Sequence, residues 1–214
     1  MSNFDFTDAE HTVCFTGHRM IPPAEKKQLA AALDAGIRRL VSEGFFRFLC
    51  GGALGFDMLA EEAVLRAREK DPCLRLALVL PCAGQSSRWP EAEKNRYNRL
   101  LHAADHVLVL SPHYYPGCML TRNRYMVDHS SRCICYLHSF RGGTMSTVKY
   151  ALQKQMRIDN LAMDLLPRRD QGLLKEDETW NSIFISPSAR KNAVTVPSRH
   201  FRAKAGKWTR MWTR

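Results

Sequence analysis

The chain has 214 residues, 45% of them apolar, with a formal net charge of +11, which is enough apolar material for one well-buried core of ordinary size. No segment approaches the roughly 18–20 apolar residues of a bilayer span, and there is no basic start followed by an apolar block of the kind a secretion signal has, so the expectation is a soluble, cytoplasmic protein. Seven cysteines, none in a CxxC pair, exclude a disulfide framework and read as reduced, mostly buried thiols.

The first apolar run, Thr12–Thr16, is followed by Ala24–Ser42, whose Leu29, Leu33, Ile37, Leu40 and Val41 recur at helical spacing. The same alternation continues along the chain. Predicted strands lie at Phe45–Cys50, Leu74–Leu80, His106–Leu110 and Arg132–Leu137, with a sixth near Ile158–Met163; predicted helices lie at Asp57–Lys70, Pro90–Ala103, Leu120–His129 and Thr144–Lys154. Strand and helix in regular turn predict an α/β fold, a Rossmann-like parallel sheet with helices on both faces, right-handed crossovers and fully buried strands. After Asp164 the pattern lapses. Residues 179–214 hold eight Lys and Arg and no Asp or Glu, which is +8 of the total and leaves +3 for residues 1–178. The domain division is therefore 1–163 for the folded body and 164–214 for a basic, flexible C-terminal extension with scattered aromatics.

Three loops predicted to follow strands carry glycine: Thr16-Gly17-His18-Arg19, Gly51-Gly52-Ala53-Leu54-Gly55-Phe56-Asp57, and Arg141-Gly142-Gly143-Thr144. In an open parallel sheet the ligand crevice lies beyond the carboxyl ends of the strands, and glycine there lets backbone N–H groups approach an anion at a helix N-terminus. Together the three loops read as a phosphate cradle. Neither standard nucleotide fingerprint fits: Cys50 stands where GxGxxG needs its first glycine, and no GK[ST] follows.

The stretches CFTGHR (14–19), CGGALGFD (50–57), ADHVLVLSPHYYPGCMLTRNRYMVDHS (104–130) and RGGT (141–144) resemble the YpsA-like branch of the SLOG superfamily, Rossmann-like domains that include the Lonely-Guy phosphoribohydrolases and the DNA-processing protein DprA. The resemblance covers residues 10–163. It implies that Gly17, Gly51, Gly52, Gly55, Gly142, Gly143 and Thr144, with Thr16, His18 and Ala53 in the same loops, line a pocket for a nucleotide-like ligand such as ADP-ribose or NAD. Thr144 would offer its hydroxyl and N–H to a phosphate, a role compatible with capping the last helix. Asp57 has two readings, acceptor for ribose hydroxyls or helix cap. Arg19 is a phosphate partner or a solvated loop charge. Gln85 and Trp89 follow the third strand, Trp89 either stacking on a base or covering the helix beneath. Asn123 and Asp128 point into the pocket, or Asp128 pairs with Arg124 one turn away. The resemblance also brings a homodimer into consideration.

Laying RGGTMSTVK over the Lonely-Guy pattern PGGxGTxxE puts Lys149 on the catalytic glutamate. An oxocarbenium-like transition state needs negative charge close by, so the expectation is a sensor or regulator, with Asp57 or Asp128 as the candidates to substitute in a hydrolase. No GxSxG elbow is present. His102 and His106 straddle a helix end and a strand start, so no metal site is expected. A rival reading comes from DprA, whose SGxAxGID pattern CGGALGFD resembles: single-stranded DNA binding, aided by the basic extension.

Overall fold

Alternate residues of the first apolar run face opposite ways: Val13 and Phe15 pack on one side of the sheet and Cys14 on the other. This is the period-two pattern of a strand covered on both faces. The computed structural model describes residues 6–139 and 141–162. It contains β1 (Thr12–Gly17), α1 (Pro23–Ser42), β2 (Arg47–Cys50), α2 (Phe56–Arg68), β3 (Arg75–Leu80), α3 (Glu91–Ala103), β4 (His106–Val109), α4 (Cys118–Asp128), β5 (Arg132–Tyr136), α5 (Gly142–Gln153) and β6 (Arg157–Asn160). The six strands form one parallel sheet in the order β4-β3-β2-β1-β5-β6. The fold is a Rossmann-like α/β sheet.

Leu29, Leu33, Ile37 and Leu40 of α1, all fully buried, join Phe56, Met58 and Val64 of α2 and Tyr97 and Leu100 of α3 over Phe15, Phe48, Leu76 and Leu78. Burying each of these larger side chains contributes about 1.5–3 kcal/mol. On the other face Met126 and Val127 of α4 and Met145, Val148 and Ala151 of α5 cover Leu49, Val79, Cys133 and Cys135. All seven cysteines are free thiols, and only Cys73 is exposed. Among the described residues no helix is long and apolar enough to cross a membrane.

Several element ends shift by a few residues from the sequence expectation, and for β2 and β6 the local reason is visible. Pairing in β2 begins at Arg47, because the half-buried Phe45 and Phe46 lead into the sheet from outside it. β6 stops at Asn160: its Oδ1 accepts from Leu137 N–H (2.9 Å) and Ala162 N–H (3.2 Å), and its Nδ2 donates to Leu137 O (2.9 Å), so the side chain clamps the end of β5 and turns the chain. β4 is not fully buried as expected; it is the sheet's edge, and Val107 and Val109 are 38% and 44% exposed. The basic extension at 164–214, and Met163 of the expected sixth strand, lie outside the described residues.

Candidate functional site

Strand order reverses between β1 and β5, since β2, β3 and β4 lie to one side of β1 and β5 and β6 to the other. In open α/β sheets ligands bind beyond the carboxyl ends of the two strands at such a switch point. The loops after β1 and β5 meet there. His18 N–H donates to Tyr136 O (3.2 Å), His18 O accepts from Phe56 N–H (3.3 Å) at the head of α2, and the His18 and His138 rings lie 4.2 Å apart. The neighbouring loop after β3 is tied in through Gln85, whose Nε2 donates to Gly52 O (2.8 Å) and Tyr97 OH (3.2 Å).

The glycines divide into two kinds. A methyl group at Gly17 would collide with the ring of Phe56, one at Gly51 with the guanidinium of Arg122, and one at Gly55 with the main chain of Arg19. At Gly52 it would sit 2.9 Å from both Gln85 Nε2 and Leu80 Cδ2. These loops need glycine because protein packs directly against them. Gly142 and Gly143 are different: both are exposed, and no described atom lies within 4 Å of a methyl group placed on either. Gly142 has φ +87°, a left-handed turn that aims the chain into α5. Of the three cradle loops, only the one after β5 keeps open space over its glycines.

Beneath the β2 loop lies a buried charge cluster. Glu61 is fully buried and its Oε1 accepts from Gly52 N–H (3.1 Å). Asp57 Oδ2 accepts from Ala53 N–H (3.3 Å) and stands 3.7 Å from Arg122 Nη1. Glu61 Oε2, Arg122 Nε and Nη1, and also His18 Nε2 have no hydrogen-bond partner among the described residues. Burial, reinforced by Asp57, pushes the Glu61 carboxyl well above the usual carboxylate range. Burial also raises Asp57, opposed by Arg122, and lowers Arg122, opposed by Asp57. The physical picture is a Glu61 carboxyl whose burial favours the neutral form, beside a buried ion pair.

A carboxyl whose pKa is raised on folding binds its proton more tightly in the native state than in the unfolded one. Its contribution is therefore fully present below about pH 4.3, the unfolded value, and is lost as pH rises towards the raised native value. Glu61→Gln keeps the acceptor for Gly52 N–H and removes the titration. Chemical denaturation of the variant is expected to show a flatter decline of stability from pH 4 to pH 7 than the parent, by up to about 1.4 kcal/mol per pH unit.

The remaining sequence candidates separate. Thr16 is a buried β1 residue paired with Cys135, and Arg19 is exposed beside it in the edge loop. Thr144 is buried as the third residue of α5, and the cap position belongs to Arg141; Asp57 is likewise the second residue of α2, behind Gly55. Trp89 packs edge-on against Tyr97 at 5.2 Å. Asn123 Nδ2 donates to Thr147 Oγ1 (2.7 Å), which donates to Gly143 O (2.8 Å), so Asn123 reaches the open loop through one intermediary. Asp128 ends α4 at the opposite end of the sheet. It pairs with Lys154 (2.8 Å) and accepts from Tyr150 OH (2.9 Å), while Arg124 lies over the Tyr150 ring. Lys149 is exposed on α5.

Glu61, Arg122 and His138 escaped the sequence reading. Glu61 lies four residues after Asp57, and Arg122 midway between the buried Cys118 and Met126; a charge on the apolar face of a helix is the signal that marks both. His138 carried no sequence signal, since only the pairing of β1 with β5 brings it to His18.

A parallel sheet with its switch point at β1 and β5 and glycine loops along its carboxyl edge defines a Rossmann-like domain of the SLOG type. The family model described as the YspA SLOG family matches residues 23–170, and the chain belongs to that family. It is 28% identical over 157 residues to a UPF0398 protein of Halalkalibacterium halodurans, covering 72% of this chain and 83% of that one. It is also 28% identical over 138 residues to the SPbeta prophage-derived protein YoqJ of Bacillus subtilis, covering 59% and 79%. Among solved structures, DprA from Streptococcus pneumoniae superposes with TM-score 0.51 at 21% identity, over 69% of this chain and 48% of that one. DprA from Helicobacter pylori, solved in a study of its single-stranded DNA binding mode, gives 0.50 at 21% identity, over 72% and 66%. These likenesses establish the shared fold; the chain spans about half the length of the streptococcal protein.

Proposed function

We propose that the protein binds a nucleotide or nucleotide-derived ligand of the ADP-ribose or NAD kind at the switch-point edge, as a sensor or regulator rather than a hydrolase. The observation that carries this reading is the open Gly142–Gly143 turn at the head of α5, left-handed at Gly142, on an edge where His18 Nε2, Glu61 Oε2 and Arg122 Nε have no hydrogen-bond partner among the described residues. Backbone N–H groups at a helix N-terminus favour an anion. The exposed Lys149, at the position of the Lonely-Guy glutamate, and the burial of Asp57 beneath Arg122 weigh against N-glycosidic hydrolysis.

The test is a thermal-shift and calorimetric series on the full chain with ADP-ribose, NAD, nucleoside monophosphates and a short single-stranded oligonucleotide. A ligand at about a hundred times its Kd adds roughly 2.7 kcal/mol. A shift with a small nucleotide, and no release of free base, supports the sensor reading; base release supports the hydrolase. A shift with the oligonucleotide alone, falling steeply with salt, moves the function to single-stranded DNA binding, the role named for the H. pylori DprA.

A further inference from the structure

The switch point holds a feature that the glycine loops do not account for. His18 follows β1 directly and His138 lies two residues beyond β5, and these are adjacent strands. Their rings approach to 4.2 Å at an interplanar angle of 53°. Main-chain bonds fix the first of them at both its N–H and its carbonyl, so His18 cannot retreat without breaking the ladder to Tyr136 or uncapping α2. His138 is the exposed member, with His18 half-buried behind it. The ring nitrogen Nε2 of His18 is shielded from solvent and has no partner among the described residues, although an imidazole nitrogen buried in that way ordinarily finds one.

Resting on the nucleotide reading above, we infer that His18 and His138 form a proton-linked subsite for a phosphate group of the ligand. Two imidazoles this close repel one another when both are charged, and a phosphate oxygen beside them reverses the balance, because it offers Nε2–H an acceptor and the pair a counter-charge. Without ligand, burial first and His138 second hold His18 below the usual imidazole range. Binding a phosphate therefore takes up a proton, and affinity rises as pH falls.

The other charged and titratable groups in the region around the pair come from β5, α1, the loop after β1, α2 and α4. Tyr136 on β5 donates its hydroxyl to Glu25 of α1 (2.5 Å), and burial raises its pKa first, with Glu25 adding to it, so it stays a neutral phenol. Arg19 adjoins His18 in the loop. Asp57 of α2 and Arg122 of α4 pair with each other nearby. Burial raises the pKa of Asp57 and of Glu61 under the β2 loop, so the test must separate the buried carboxyls from the histidines.

ADP-ribose is the probe, because its diphosphate diester does not titrate between pH 6 and pH 8. On the full chain, Kd is expected to fall about fivefold or more from pH 8 to pH 6, with net proton uptake measured by calorimetry in two buffers of different ionisation enthalpy. His18→Gln and His138→Gln are each expected to flatten this dependence to less than about twofold, while Glu61→Gln keeps it. In the ligand-free protein, an NMR titration should show the His18 midpoint rising in His138→Gln. Binding that is equally tight at both pH values overturns the subsite and leaves the nucleotide reading standing. A pH dependence lost in Glu61→Gln but kept in both histidine variants also overturns it. Absence of ADP-ribose binding at every pH removes the subsite together with the reading on which it rests.

Discussion

Gly55→Ala is expected to lower the unfolding free energy by about 4 kcal/mol, seen as a fall in Tm of roughly 8–16 °C for a chain of this length. Two costs add. Gly55 has φ +83°, a conformation that disfavours any side chain, and the new methyl group would be driven into the carbonyl of Arg19, main chain that cannot swing aside as a side chain does. Gly143→Ala is the contrast. No described atom lies near the added methyl, so stability should stay within about 0.5 kcal/mol of the parent, while ADP-ribose affinity falls if the open turn holds the ligand. Urea denaturation of the two variants, followed by calorimetry on Gly143→Ala, measures both quantities. A stability loss at Gly143 as large as that at Gly55 would show that the turn is packed in solution and not open.

Arg122→Met is expected to cost about 3–5 kcal/mol. Asp57 is 7% exposed as a side chain and has Arg122 as the cation beside it, so removing the guanidinium leaves a buried carboxylate without compensation. The companion Asp57→Asn, made in the same chain as Arg122→Met, should restore a large part of the loss, because two neutral groups need no counter-charge and neighbouring sites do not add. A double variant no more stable than Arg122→Met alone would assign the loss to the packing of the guanidinium on Gly51.

Much of this architecture could be read from the chain. The six apolar runs and five periodic stretches each became the element expected of them, because burial on both faces leaves a parallel strand little alternative composition. Ends were less legible. α4 begins at Cys118 and α5 at Gly142, two residues earlier than their apolar patterns begin, since Gly117 and Gly142 supply the positive-φ turns that start the helices. The same motif letters concealed a division within the candidate site. Gly17, Gly51 and Gly143 look alike in sequence, yet the first two are filled by Phe56 and Arg122 and the third is not, a difference that depends on side chains arriving from α2 and α4. The Arg124–Asp128 alternative was drawn from spacing along one helix, and the structure instead pairs Asp128 with Lys154 on the neighbouring one, where helix packing outranks local sequence.

Arg122 and Asn123 are consecutive residues of α4, but they serve different loops. The guanidinium of Arg122 lies against Gly51, whereas Asn123 holds Thr147, and through it the carbonyl of Gly143. Consecutive side chains on a helix diverge by about 100°, so one turn of α4 bridges two loops that chain order places more than ninety residues apart. The loops after β2 and β5 consequently share a single mechanical mount. A roll of α4 about its axis would move both at once, so the second turn of this helix joins the packed half of the edge to the open half.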